Sequence, residues 1–172
     1  MKQVSRIIAY PVMVLAALGV LASFCLTVAS FGRAAAVETT AFRFLFPGIF
    51  IVWLPTILFT NLLTRDFKQR DLWKAALRGC PTWMRKAQWA VWGVAFAAFF
   101  VPFLWGGRPQ TFPASFLLFP AIFYSASFCV AYSLLHVEKY DAEHQCLNGH
   151  RMSPSAKFCE ECGAPAAPEG MR

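Results

Sequence analysis

Charge is what this chain has least of. Only 15% of its 172 residues are Asp, Glu, Lys or Arg, while 58% are hydrophobic; soluble domains carry ~25% charged and ~45–50% apolar residues. A water-soluble domain could not cover its surface with so few charges, so that class is excluded. The segments 7–31, 44–63, 87–105 and 113–135 contain no Asp, Glu, Lys, Arg or His. Transporters and proton-coupled pumps usually place such residues along their path through the bilayer, which argues against ion- or proton-coupled transport. Passage of a small neutral solute through an oligomer stays open as a second reading. A catalytic constellation is also missing. Ser125 or Ser133 with His136 is the one conceivable hydroxyl–base pairing, and a histidine at a membrane interface is more often simply solvated, so no enzymatic activity is expected. There is no internal repeat. The six cysteines do not form a disulfide framework: Cys25 and Cys129 lie in apolar stretches and read as small packing residues, and Cys80 lies in a basic connector.

What the chain does have is four long apolar blocks. The first, from Ile7 to about Phe31, is long enough at 1.5 Å per residue to cross a ~30 Å hydrocarbon core. Lys2 and Arg6 precede it and Ala34-Ala35-Ala36 follows it, as in a signal peptide. It is far longer than a cleavable apolar core of roughly 7–15 residues, and so reads as an uncleaved anchor. Gly19, Ser23 and Thr27 recur every fourth residue, a small-residue stripe suited to close helix packing. The second block, 44–63, contains Pro47, placed in its first turn, and Pro55 in its interior, where a fixed kink is expected. The third, 87–105, carries Gly93 and Ala97 on one face. The fourth, 113–135, carries a stripe of Ala121, Ser125 and Cys129, and leads through His136–Tyr140 toward the C-terminal tail.

Between the second and third blocks lies a basic connector, 64–86. Leu72, Trp73, Ala76, Leu77 and Cys80 share one helical face, opposite Asp71, Lys74 and Arg78, and Gly79 and Pro81 follow as stop signals. This pattern predicts an amphipathic helix lying in the headgroup region, cations toward anionic lipid, with Trp83 and Trp89 as interfacial anchors. Thirteen of the 16 Lys and Arg residues sit in the N-terminus, this connector and the C-terminal tail; Arg33, Arg43 and Arg108 are the others. Positive charge concentrates on the cytoplasmic side of membrane proteins, so both termini are expected in the cytoplasm.

The stretch from Cys146 to Gly163, CLNGHRMSPSAKFCEECG, carries the one specific chemical signature. Cys146 and His150 form a CxxxH pair, and Cys159 and Cys162 form a CxxC pair. Two tight turns can bring these pairs together into the four-coordinate N/S site that zinc prefers. Gly149 and Gly163 suit turns that require positive φ. His144 is a competing nitrogen donor, but it lies too close to Cys146 for an easy chelate turn. Phe158 is expected beneath the site as its nearest approach to a core. Three thiolates and an imidazole leave no open position for water, so the site reads as structural, holding one Zn2+. Thiolate ligands also persist most safely in a reducing compartment, which agrees with the cytoplasmic side.

The motif CLNGH…FCEECGAP resembles the short zinc-ribbon tails, CxNGH…FCxxCG, attached to many bacterial proteins. The whole chain, with LRGCPTWMRK between its second and third apolar blocks, is similar to uncharacterised bacterial inner-membrane proteins bearing such a tail. That resemblance implies an inner-membrane location and brings no known activity.

The expected architecture is an all-α membrane protein. Its domain 1–140 holds four transmembrane helices and an interfacial amphipathic helix, 141–163 is a small β-type zinc ribbon, and 164–172 is a disordered tail. The expected function is a cytoplasmic protein-interaction or regulatory module tethered to the lipid bilayer. A partner would meet the ribbon or the 64–86 connector, and homo-oligomerisation is compatible with the bundle. From Cys146 onward Arg151, Lys157 and Arg172 cancel Glu160, Glu161 and Glu169. Phosphate contacts dominate nucleic-acid affinity, so nucleic acid is a poor candidate.

Overall fold

The computed structural model describes residues 2–30, 34–65, 72–104, 118–143, 146–150, 152, 157–159 and 161–165, with backbone alone at 2–6, 30, 34–42, 99, 101–104 and 141–143. It is mostly helical: α1 spans Lys2–Ser30, α2 Ala34–Thr64, α3 Leu72–Ala76, α4 Thr82–Leu104 and α5 Phe119–Glu143. Three segments are long and apolar enough to cross a membrane: Ile7–Ala29, Arg43–Thr64 and Phe119–Tyr140. They carry the described parts of the expected first, second and fourth blocks; Phe31 and residues 113–117 lie outside the described residues. The expected third block falls on α4, a 23-residue helix, but its end at residue 105 lies outside the described residues. α2 begins well before the expected Phe44, so Pro47 is interior and not in the first turn; the helix continues through both Pro47 and Pro55.

Large apolar side chains face outward on these helices, among them Leu21 and Val28 on α1, Phe50 and Leu54 on α2, and Val94 and Phe100 on α4. Contiguous apolar exposure of this kind marks a surface meant for lipid or protein rather than water. Cys25, expected as a packing residue, also lies on this exposed surface, whereas Cys129 is buried.

α5 is the hub. Within the bundle 72% of its apolar span is buried, against 28% for each of the other two, and α1, α2 and α4 all pack on it. Small residues permit this. On α1 the stripe of Ala16, Ser23 and Thr27 is buried, and on α5 Ala121, Ser125, Ser127, Cys129 and Ala131 are buried as well. The Ser23 and Thr27 hydroxyls donate to carbonyls one turn back, at 2.8 and 2.7 Å, so the stripe brings no unpaired polar atom with it. Tyr124 of α5 lies against Gly19 of α1 and reaches past Gly48 of α2. Its hydroxyl donates to the Leu45 carbonyl at 2.8 Å, which joins three helices through one side chain. Gly93 and Ala97 of α4, by contrast, lie on an exposed face, and the packed residues there are Ala95 with Leu118 and Ile122.

The connector corrects the expected interfacial helix. α3 has only five residues, and the turns beyond it tuck into the bundle, with Leu77, Arg78 and Cys80 buried. Lys74 is exposed as expected. Arg78 is 5% exposed and donates to the Leu63 carbonyl at 2.6 Å. The physical reason is at the end of α2: the last carbonyls of a helix have no intrahelical partner and carry the negative end of its dipole. A guanidinium reaching back fifteen residues satisfies one of them. Gly79 does more than end a helix. Its N–H donates to Ser133 Oγ at 3.0 Å, and a Cβ there would collide with the Ser133 backbone. Asp71 and Asp66–Arg70 lie outside the described residues. Trp83 and Trp89 are both exposed.

A Gly19→Ala substitution places a methyl group on a Tyr124 ring that Leu45 and Gly48 hold in place. Overpacking of this kind costs about 1–3 kcal/mol, so the thermal midpoint in detergent is expected to fall. Gly93→Ala, whose added carbon meets nothing within 4 Å, serves as the control and should not lower it, since alanine is the better helix former.

Candidate metal centre

The tail beyond α5 folds as two turns, each closed by its own backbone. In the first, the Gly149 N–H donates to the Cys146 carbonyl at 2.9 Å and the Cys146 N–H to the His150 carbonyl at 3.0 Å. In the second, the Gly163 N–H donates to the Cys159 carbonyl at 2.9 Å and the Cys159 N–H to the Ala164 carbonyl at 2.8 Å. Gly149 at φ 80° and Gly163 at φ 72° take the left-handed conformation, which side chains resist and glycine adopts freely. An antiparallel bridge joins Phe158 to Pro165. Among the described residues the tail holds no strand.

The turns bring Cys146, His150, Cys159 and Cys162 together. Their ligand atoms all lie within 4.8 Å of one another. Cys146 Sγ is 3.7 Å from Cys162 Sγ, and Cys159 Sγ is 3.8 Å from His150 Nδ1. A tetrahedral ion with metal–sulfur bonds of ~2.3 Å sets sulfurs ~3.8 Å apart, so the Cys146–Cys162 edge already has the right length. All four expected ligands are therefore in one cluster that could bind one metal ion. His144 lies outside the described residues.

Two of the three thiols have a backbone donor. The His150 N–H donates to Cys146 Sγ at 3.3 Å. The Ala164 N–H, together with the His150 imidazole, draws the Cys162 thiol down to about 6. Hydrogen bonds to Cys162 and Cys159, in that order, raise the His150 pKa. Both shifts favour the charged form of their group, so a metal ion entering the cluster has to displace the imidazole's proton. On its other side His150 Nε2 lies 3.8 Å from Glu161 Oε2.

The small core corrects one expectation. Phe158 is 64% exposed and does not underlie the site. Met152 does so, buried with Cys146 and Cys159 and flanked by Ala164. Both Met152 and Phe158 are apolar residues between the ligand pairs, and their spacing alone does not separate them.

The other groups considered for chemistry are placed elsewhere. Ser133 Oγ accepts from the Gly79 N–H, and Ser125 Oγ donates to the Ile122 carbonyl at 3.1 Å. His136 is stacked on Tyr132 at 4.1 Å between ring centroids, with Nδ1 2.9 Å from the Tyr132 carbonyl. Cys80 Sγ donates to the Cys129 carbonyl at 3.1 Å, a packing role in keeping with its place on the apolar face of the connector.

No protein-family model matches the chain, and comparison with curated proteins and with solved structures also finds no match. The donor set is thus the principal guide to function.

The full-length protein, purified without chelator, is expected to carry one metal ion per chain by elemental analysis. The Cys159→Ser, Cys162→Ser double variant should carry none while its helical content in detergent stays unchanged. Equal metal content in both proteins would remove the site.

Proposed function

We propose that this chain is a four-span protein of the cell inner membrane, both termini cytoplasmic, that presents a structural zinc ribbon as a protein-interaction or regulatory module. The observation that carries the reading is the closed set of Cys146, His150, Cys159 and Cys162, with ligand atoms within 4.8 Å of one another. Three thiolates and one imidazole in a tetrahedral arrangement suit zinc and leave it no position for water or substrate. When bound, zinc supplies folding energy rather than chemistry. Among the described residues the tail buries Cys146, Met152 and Cys159, far too little for an independent core, and structural zinc in finger-sized peptides contributes ~10–16 kcal/mol.

The membrane part of the reading rests on three sufficiently long apolar helices, on α4 as the fourth span, and on the bias of Lys and Arg toward one side. The resemblance of CLNGH…FCEECG to bacterial zinc-ribbon tails supports the same architecture. Tethering is the mechanism. α5 ends at Glu143 and the first ligand is Cys146, so the ribbon cannot move far from the bilayer. A partner that is itself at the membrane therefore meets it at raised effective concentration.

Two measurements test this. A membrane-impermeant thiol reagent applied to intact cells should leave Cys146, Cys159 and Cys162 unlabelled, and labelling from outside would reverse the topology. Affinity capture with the intact protein should recover a partner that the Cys159→Ser, Cys162→Ser variant does not. If solute flux through proteoliposomes is robust and survives deletion of residues 146–172, the protein is instead a channel or transporter subunit.

A further inference from the structure

His150 is the one ligand with a choice of donor atom. A neutral imidazole carries its hydrogen on either Nδ1 or Nε2, and only the other nitrogen can bind a metal. In this structure the two nitrogens face different groups. Nδ1 points to Cys159 Sγ at 3.8 Å, inside the ligand cluster. Nε2 points to Glu161 Oε2 at 3.8 Å, outside it.

We propose that Glu161 is a positioning residue for His150, holding the imidazole so that Nδ1 is the metal-binding atom. The inference rests on the metal-site reading above. A carboxylate beside Nε2 favours the tautomer with hydrogen there, which frees the Nδ1 lone pair for the ion. Metal-bound histidines recurrently use their second nitrogen in this way, and the partner both fixes the ring and raises its basicity. The constraint matters here because the His150 side chain is 41% exposed. Little packing fixes the ring's rotation.

The position of Glu161 in the chain adds a second consequence. It sits between Cys159 and Cys162, on the turn that supplies two thiolates, and its contact is to a ligand on the other turn. Glu161 therefore links the CxxxH half of the site to the CxxC half by an interaction that needs no metal. At 3.8 Å the contact is longer than a full hydrogen bond, and Glu161 is 70% exposed. The effect belongs at the lower end of the 10–100-fold range that outer-shell partners contribute to metal affinity.

The test uses the full-length protein in detergent, with zinc affinity read by competition against a chromogenic chelator. Glu161→Ala is expected to weaken zinc binding about 10-fold. Glu161→Gln keeps an acceptor oxygen and should lose less. The decisive comparison is a double-mutant cycle. In a His150→Cys background the site is all thiolate with no imidazole to orient, and Glu161→Ala should then leave affinity unchanged. Long-range nitrogen–proton correlations on the wild-type zinc form should show Nδ1 as the metal-bearing nitrogen and Nε2 as protonated. Wild-type affinity in Glu161→Ala, an equal loss in both backgrounds, or zinc on Nε2 would each overturn the proposal while leaving the metal site standing. Failure of the wild-type protein to bind zinc at all would overturn both.

Discussion

A helix surrounded by other helices has to be thin, and the rest of this bundle follows from the thinness of α5. Ala121, Ser125, Ser127, Cys129 and Ala131 keep its surface close to the backbone, and the facing stripe on α1 does the same. In lipid the association of helices gains little from hydrophobic transfer, because the hydrocarbon outside is as apolar as the interior. Close packing and interhelical hydrogen bonds take its place. Tyr124 is a bulky exception on this face, and it fits because Gly19 and Gly48 leave it room. Its hydroxyl then ties α5 to α2 at Leu45.

The same low-dielectric setting governs the polar atoms. Unpaired, each would cost a large desolvation penalty, so they are drawn to partners across the bundle. Arg78 turns inward to the last turn of α2. The Gln88 amide, buried on α4, donates to the Ser125 carbonyl at 3.0 Å and accepts from the Trp92 indole N–H, which fastens α4 to α5. Thr56, Thr60 and Thr64 each return a hydroxyl to the carbonyl four residues back, at 2.7–2.9 Å. The Arg78, Gly79 and Gln88 contacts hold the end of α2, the connector and α4 around α5, whose own C-terminal end leads into the Cys/His tail.

That tail obeys a different rule. It has almost no apolar core, and its order rests on two backbone-closed turns and on donor atoms that converge on one point. The bundle is a matter of shape among many small contacts, and the tail is a matter of four donor atoms brought to one place. One chain therefore contains two units stabilised by unrelated physics, joined by the direct continuation of α5 to Glu143.

The sequence by itself determined most of this second unit. Ligand type, CxxxH and CxxC spacing and the glycines at 149 and 163 are local properties, because chelating turns are built from residues close in the chain. It also determined three of the long apolar helices, since length and hydropathy are local too. The tertiary structure alone decided that α5 is central, that Arg78 faces inward, that Cys25 faces outward and that Met152 rather than Phe158 underlies the cluster. Each of those outcomes depends on which distant segment supplies the partner: a carbonyl fifteen residues away, a neighbouring helix or its absence, a turn across the metal site. No periodicity within one segment encodes the position of another, and that information arises only when the segments pack.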